Sequence, residues 1–328
     1  MTSCRKLARI AVPFSALATS ALLGFGGTLS AAVTSRAATA VAETRSPKAL
    51  PAPRSLRPFH PGAPRPDGIW HPAGRPALGR PAVYETTLQP PGSPYEAGIA
   101  WMDTNLLRAQ LYSGSVSPGY GPWKYTAPVS PAAALALVAA FNGGFKFPDT
   151  RGGYYSEGRM VHPLRRGGAS FVIYRDGRAT VGQWERDVFM TGNVIAVRQN
   201  LTLLVDHGRA VRGLNPNDTS AWGATLGGIP NVWRSGVGVT SDGALVYVTG
   251  PSLRITQLAA LLVRAGAVRA MTLDMNPDWT VFVTYSPSPP TAAATPDNGR
   301  DLISGTVQGP YTFFEPWWAR DFFTMSVR

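Results

Sequence analysis

The chain has 328 residues, 44% hydrophobic and 15% charged, with a formal net charge of +12. That apolar share is enough for a sizeable core, and 35 glycines with 30 prolines exclude a helical bundle and point to short strands joined by many turns. Cys4 is the only cysteine, which excludes an internal disulfide framework.

The amino terminus reads as an address. Arg5, Lys6 and Arg9 precede a stretch, residues 10–33, without any charge, and Ala38-Thr39-Ala40 then offers small residues at the spacing a signal peptidase cuts. Residues 1–40 are thus expected to be a signal peptide. The apolar run is also long enough to span a bilayer, so an uncleaved anchor with membrane attachment through 10–33 stays open, although Pro13 and the glycines at 24, 26 and 27 weaken it as a helix. Either address makes the protein secreted or extracytoplasmic. Cys4 lies too early to be a lipoprotein attachment site. Removal of 1–40 takes away four cations and no acid, leaving +8. Outside a membrane, the partner such a charge suggests is an anionic envelope polymer. No Lys/Arg run interleaved with aromatics marks a nucleic-acid track, and no nucleic-acid partner is expected.

Residues 41–94 hold 13 prolines among Arg, Ala and Gly. This composition predicts a disordered, extended linker that carries a folded domain, 95–328, away from the membrane. Within that domain, Ser130 and Pro131 cap a predicted helix over 130–141. Asp176-Gly177, His207-Gly208 and Asp242-Gly243 each sit between apolar runs and predict hairpins over 170–184, 201–211 and 236–250. Leu258, Leu261, Leu262 and Ala265 fall on one face of a second helix, 256–267, stopped by Gly266. That helix feeds a strand, 268–274, which turns sharply at Asn276-Pro277. The proline-rich stretch 286–299 reads as a surface loop. The fold class is α+β: a single strand-rich mixed α/β domain with few helices.

Several loops present chemistry where apolar elements end. In "FNGGFKF" (141–147), Gly143 and Gly144 allow close backbone approach, and Asn142 offers a donor and an acceptor. Between Gly-rich flanks stand Glu157 and Arg159, with Tyr154 and Tyr155 nearby, a mixture suited to a sugar ring; Arg165 and Arg166 read as solvated charges. Arg234 opens an apolar strand, where a guanidinium can fork onto phosphate or carboxylate oxygens. Asp274-x-Asn276-x-Asp278 has the odd-position spacing that begins a calcium loop, but Trp279 stands where glycine is needed and no closing Glu follows. The four histidines show no zinc-ligand spacing. No metal and no cofactor are expected.

From about residue 130 onward, the order of these segments resembles the phosphodiester glycosidase family. "FNGGFK" is similar to the family's early Asn-Gly loop, and "EGRMVHPLRRGGASFVIYRDGR" to its Gly-rich turn and hairpin. "RSGVGVTSDGALVYVTG", "LAALLVRAGAVRAMTLD" and "ARDFFTMSV" then follow in the family's order. The resemblance implies one mixed α/β domain with a site built from loops at strand ends. Where the family usually ends its strand Asp-Gly-Gly-Gly-Ser, this chain keeps Asp274 and continues Met275-Asn276-Pro277-Asp278. Because Pro277 has no N–H and a fixed φ, a backbone nest of the glycine-rich kind cannot form in the same way.

With the resemblance, Arg234 is expected to neutralise phosphate and Asp274 to support an oxocarbenium-like sugar. Glu157 or Asp278 would activate water; Asn142, Gly143, Gly144, Asn276 and Asp278 would line the substrate. The implied activity is hydrolysis of a sugar-phosphodiester bond in an envelope glycan or glycopolymer. The alternative is a non-catalytic carbohydrate-binding module on the same fold, with an anionic glycan or sugar-phosphate polymer as partner in either case.

Overall fold

The computed structural model describes residues 48–60, 68–119, 121–215, 217–225 and 228–328. The signal-peptide reading of 1–40 and the anchor reading of 10–33 lie outside these residues. Among the described residues, no helix is long and apolar enough to cross a membrane.

Three sheets carry the fold. The first has eight strands in the order β1 (His71–Ala73), β2 (Val83–Leu88), β3 (Ala97–Met102), β14 (Leu245–Leu253), β13 (Val232–Thr240), β15 (Ala267–Met275), β11 (Leu203–Asp206) and β12 (Arg209–Ala210). The second has five: β7 (Arg159–His162), β6 (Tyr154–Ser156), β10 (Val194–Gln199), β8 (Ala169–Tyr174) and β9 (Ala179–Gln183). The third also has five: β17 (Gly299–Asp301), β16 (Phe282–Tyr285), β5 (Leu137–Asn142), β18 (Phe322–Val327) and β4 (Leu107–Tyr112). Short helices α1 (Pro131–Ala134), α2 (Phe147–Thr150) and α3 (Thr219–Trp222) join strands, and α4 (Ile255–Arg264) covers the large sheet. The domain is strand-rich with few helices, as its composition implies.

A two-residue period sorts the strands' side chains between cores. In β14, Leu245 and Tyr247 enter a central cluster shared with the other two sheets, while Val246 and Val248 join a second cluster under α4. The predicted α4 stripe of Leu258, Leu261 and Leu262 is fully buried there. All three hairpins form at the expected dipeptides, with Gly177 at φ 81°, Gly208 at 72° and Gly243 at 91°.

Two expectations are corrected. The predicted helix over 130–141 ends after one turn. Ser130 does accept from the Ala133 amide at 3.3 Å, but Leu137–Asn142 is a strand, buried at every residue and paired with β16 and β18 on its two sides. Alanine's helix preference, a few tenths of a kcal/mol per residue, yields to two-sided pairing in a filled core.

The second correction concerns the linker. Residues 48–60 lie on the domain, and β1 and β2 fall inside the proline-rich stretch with Ala73, Val83 and Leu88 in the cores. Leu50, Leu56 and Phe59 pack beside Trp70 and Tyr84 against the α4 cluster. The Leu50 amide donates to Asp103 Oδ2 at 2.8 Å, and the Arg264 guanidinium lies 4.1 Å from the Phe59 ring centroid. Proline stiffens such a segment into an extended form that loses little entropy on docking, and the apolar residues between the prolines supply contact. A fragment beginning at residue 95 lacks this arm, β1 and β2, and bares the edge of β3. Compared with a fragment beginning at 48, it is expected to melt at least about 10 °C lower or to aggregate. Equal thermal melts would overturn this placement.

Candidate active site

The site forms where β5, β10, β13, β15 and the start of β18 bring their ends together. Asn142, the last residue of β5, is buried and acts as a strut. Its Nδ2 donates to Ser235 Oγ at 3.1 Å, and its Oδ1 accepts from the Tyr247 hydroxyl at 2.7 Å and the Val281 amide at 3.3 Å. Ser235 in turn latches β15, donating to the Asp274 carbonyl and accepting from the Asp274 amide, both at 3.2 Å.

Two buried ion pairs lie beside this strut. Arg320 Nη2 donates to Asp274 Oδ2 at 2.6 Å and to the Gly144 carbonyl at 2.7 Å. Arg198 donates through Nε to Asp321 Oδ2 at 2.7 Å and through Nη2 to Asp321 Oδ1 at 3.2 Å. Adjacent residues 320 and 321 thus take their partners from different sheets. The 142–145 loop runs along both pairs so closely that a Cβ on Gly143 would stand 2.1 Å from Asp321 Oδ2. Only glycine fits there.

Electrostatics set Asp274 apart. Burial pushes its carboxyl up to about 7, outweighing the Arg320 guanidinium and the Met275 amide, which pull it down. The Nε of Arg320 is buried and has no hydrogen-bond partner among the described residues, while its guanidinium carbon lies 5.0 Å from the Trp279 ring centroid. Arg234 is opposite Met275 in the β13–β15 pairing. Its guanidinium donates to carbonyls, those of Leu253 at 2.9 Å, Trp222 at 3.3 Å and Pro230 at 3.4 Å. Burial without a carboxylate partner lowers its guanidinium to about 10. It ties the chain near 222 and 230 to the beginning of β13.

The structure therefore gathers Asp274, Asn142, Gly143 and Gly144, whereas Arg234 reaches this strand end through its backbone pairing with Met275 and spends its guanidinium on the three carbonyls. Glu157 stands apart, in the β6–β7 turn at φ 52°, where its oxygens accept from the Lys124 and Tyr125 amides at 2.8 and 2.9 Å. That role is structural. The two acids of the Asn-Pro turn separate: Asp274 is buried, whereas Asn276 and Asp278 are exposed. Met275's amide donates to Asp274 Oδ1 at 2.8 Å and Asn276's to the Trp233 carbonyl at 3.1 Å. With Pro277 lacking an N–H, these amides form no anion nest.

Arg198, Arg320 and Asp321 were not among the predicted site residues. Their signal lay in "VIAVRQN" and "WWARDFF", charges set within apolar runs of a chain only 15% charged. A buried charge in such a run requires a partner.

A strand-end carboxylate held by arginine, beside an Asn-Gly-Gly loop, forms the candidate active site. The phosphodiester glycosidase family model matches residues 136–300, and the chain belongs to this family. The matched span includes Asn142, Arg198, Arg234 and Asp274 and stops before Arg320. Among solved structures, the chain is similar to the zebrafish N-acetylglucosamine-1-phosphodiester alpha-N-acetylglucosaminidase catalytic domain auto-inhibited by pro-peptide. Identity is 15%, over 84% of this chain and 96% of that one, with a TM-score of 0.47. A hypothetical protein from Synechocystis is 11% identical over 76% of this chain and 63% of that one, with a TM-score of 0.43. A putative exported protein from Burkholderia pseudomallei is 14% identical over 71% and 74%, with a TM-score of 0.39. No curated protein matches the sequence.

Proposed function

We propose that the protein hydrolyses the bond between a sugar's anomeric carbon and a phosphodiester oxygen, in an anionic glycan or glycopolymer of the cell envelope outside the cytoplasm. The observation that carries this reading is the buried Asp274–Arg320 pair with its unpartnered Arg320 Nε, in a chain of this family. Water oxygen bonds to the anomeric carbon, the carbon–oxygen bond breaks, and its electron pair leaves on a phosphate monoester. The water proton passes to Asp278 and from it to solvent or to the released phosphate. Because that leaving group is already a stable anion, protonating it matters less than in ordinary glycoside hydrolysis.

What the site supplies is charge. Ionised Asp274 supports positive charge developing on the sugar, and Arg320 Nε offsets charge gathering on the phosphate, while Arg234, bound to carbonyls, holds the start of β13 in place. Asn142 keeps the strand ends in register, and Gly143 and Gly144 let the loop lie against the ion pairs. Asp278, exposed on the rim, is the carboxylate left to activate water.

A non-catalytic glycan-binding module is the second reading, favoured by the internally engaged amides of Met275 and Asn276. Incubating the full chain with an α-N-acetylglucosamine 1-phosphodiester, and following sugar and phosphomonoester release, separates the two. Turnover that falls at least about a thousandfold in a folded Asp274→Asn variant is the expected result. Absence of wild-type turnover on any glycosyl phosphodiester, with glycan binding retained, would establish the module instead.

A further inference from the structure

A cavity of about 580 Å³ opens between α2, the 165–168 loop and the chain following β10. Arg151, Arg165 and Arg166 line it against a single carboxylate, Asp149. Arg165's guanidinium is held by the carbonyls of Thr150 at 3.2 Å and Arg151 at 3.3 Å, so its charge meets no acid there. Arg166 approaches Glu185 only at 4.0 Å with 85% of its side chain exposed, a contact worth little in water.

The cavity also holds an unused acceptor. Asn200 is 2% exposed, and its Nδ2 donates at 2.7 Å to the carbonyls of both Thr272 and Leu273. Two carbonyl partners fix which end of the amide is nitrogen. Asn200 Oδ1 is therefore the buried atom left, among the described residues, without a donor, an arrangement that favours any ligand bringing one. Leu273 immediately precedes Asp274, so the cavity is anchored to the strand that ends in the candidate active site.

We infer that this cavity is a second sugar-phosphate subsite, with Asn200 Oδ1 accepting from a sugar hydroxyl and the arginines receiving a phosphate. It rests on the hydrolase reading in one respect, that the two sites serve one substrate, and it narrows the substrate class to polymers in which glycosyl phosphates repeat. A single diester occupies the Asp274 site alone. A longer chain reaches both.

The test uses two synthetic probes, a tetramer of hexose units joined by α-1-phosphodiester bonds and the dimer carrying one phosphate. Binding is followed by fluorescence anisotropy to full-length Asp274→Asn, with and without Arg151→Gln and Arg166→Gln. The arginine changes are expected to weaken tetramer binding about tenfold, with a shallower salt dependence, while dimer binding changes less than about twofold. Arg175→Gln with Arg178→Gln, which removes equal charge from a different cavity, should leave tetramer binding unchanged. Equal weakening of both probes, or equal loss from the control pair, overturns the subsite. Because binding needs no turnover, an inactive wild type that keeps this tetramer preference would sink the hydrolase and leave the subsite standing. Turnover of both probes that is indifferent to Arg151 and Arg166 would do the reverse.

Discussion

Asp321→Ala is expected to destabilise the protein by about 3–5 kcal/mol, enough to leave much of it unfolded at 37 °C. Arg198 and Asp321 have no exposed side-chain surface and meet through two N–H···O contacts. Removing the carboxylate leaves a guanidinium buried among carbonyls, including those of Gln199 and Phe145, with no way to shed its charge. The pair does not itself add stability on that scale, because each ion was stripped of water to form it. The double variant Arg198→Met/Asp321→Ala should therefore be no less stable than Asp321→Ala alone. Urea unfolding of the four proteins in this cycle gives the coupling directly. Losses that simply add would show that the two side chains act independently.

Asp274 should give the second large effect, as a dependence on pH. Its carboxyl stands at about 7 in the folded protein against an ordinary 3.8, so between those values folding takes up a proton. The stabilisation is complete below about pH 4 and is lost as pH rises through about 7. Relative to Asp274→Asn, the wild type should lose up to about 4 kcal/mol of unfolding free energy between pH 4 and pH 8. Asp301, which burial pushes up to about 6, titrates in both proteins and cancels in the difference. Under the proposed hydrolysis turnover runs the other way, with the ionised carboxylate as the working form, so the rate should rise through about pH 7. A stability difference flat across this range would remove the basis for both statements.

The sequence disclosed the hairpins, α4 and the strand ending at Asp274, because each rests on local chemistry: a Gly that takes positive φ, an apolar stripe, a turn dipeptide. It misled at Leu137–Asn142 and in the proline-rich arm, where distant partners decided the outcome. Nothing local in "LALVAAF" announces that β16 and β18 will flank it. The site divides along the same line. Asp274, Arg234 and the Asn-Gly-Gly loop were legible as polar groups at element ends, and family resemblance gave them an order. Arg198 and Asp321 were harder to see because their reason for being charged is each other, 123 positions apart. Glu157 had the right residue type, but two backbone amides had already claimed it.

The position of β18 has a consequence for how the protein is made. This strand lies between β5 and β4, and the two residues before it, Arg320 and Asp321, complete both buried ion pairs. A nascent chain that has not yet reached residue 321 holds a sheet broken between β5 and its edge strand β4 and two unneutralised charges, Arg198 and Asp274, that resist burial. Loop-closure entropy favours nearby contacts first, so this distant closure comes late. The candidate site thus assembles in a single late step of synthesis rather than growing with chain length, and a ribosome that stalls before that point releases a polypeptide in which both ion pairs are incomplete.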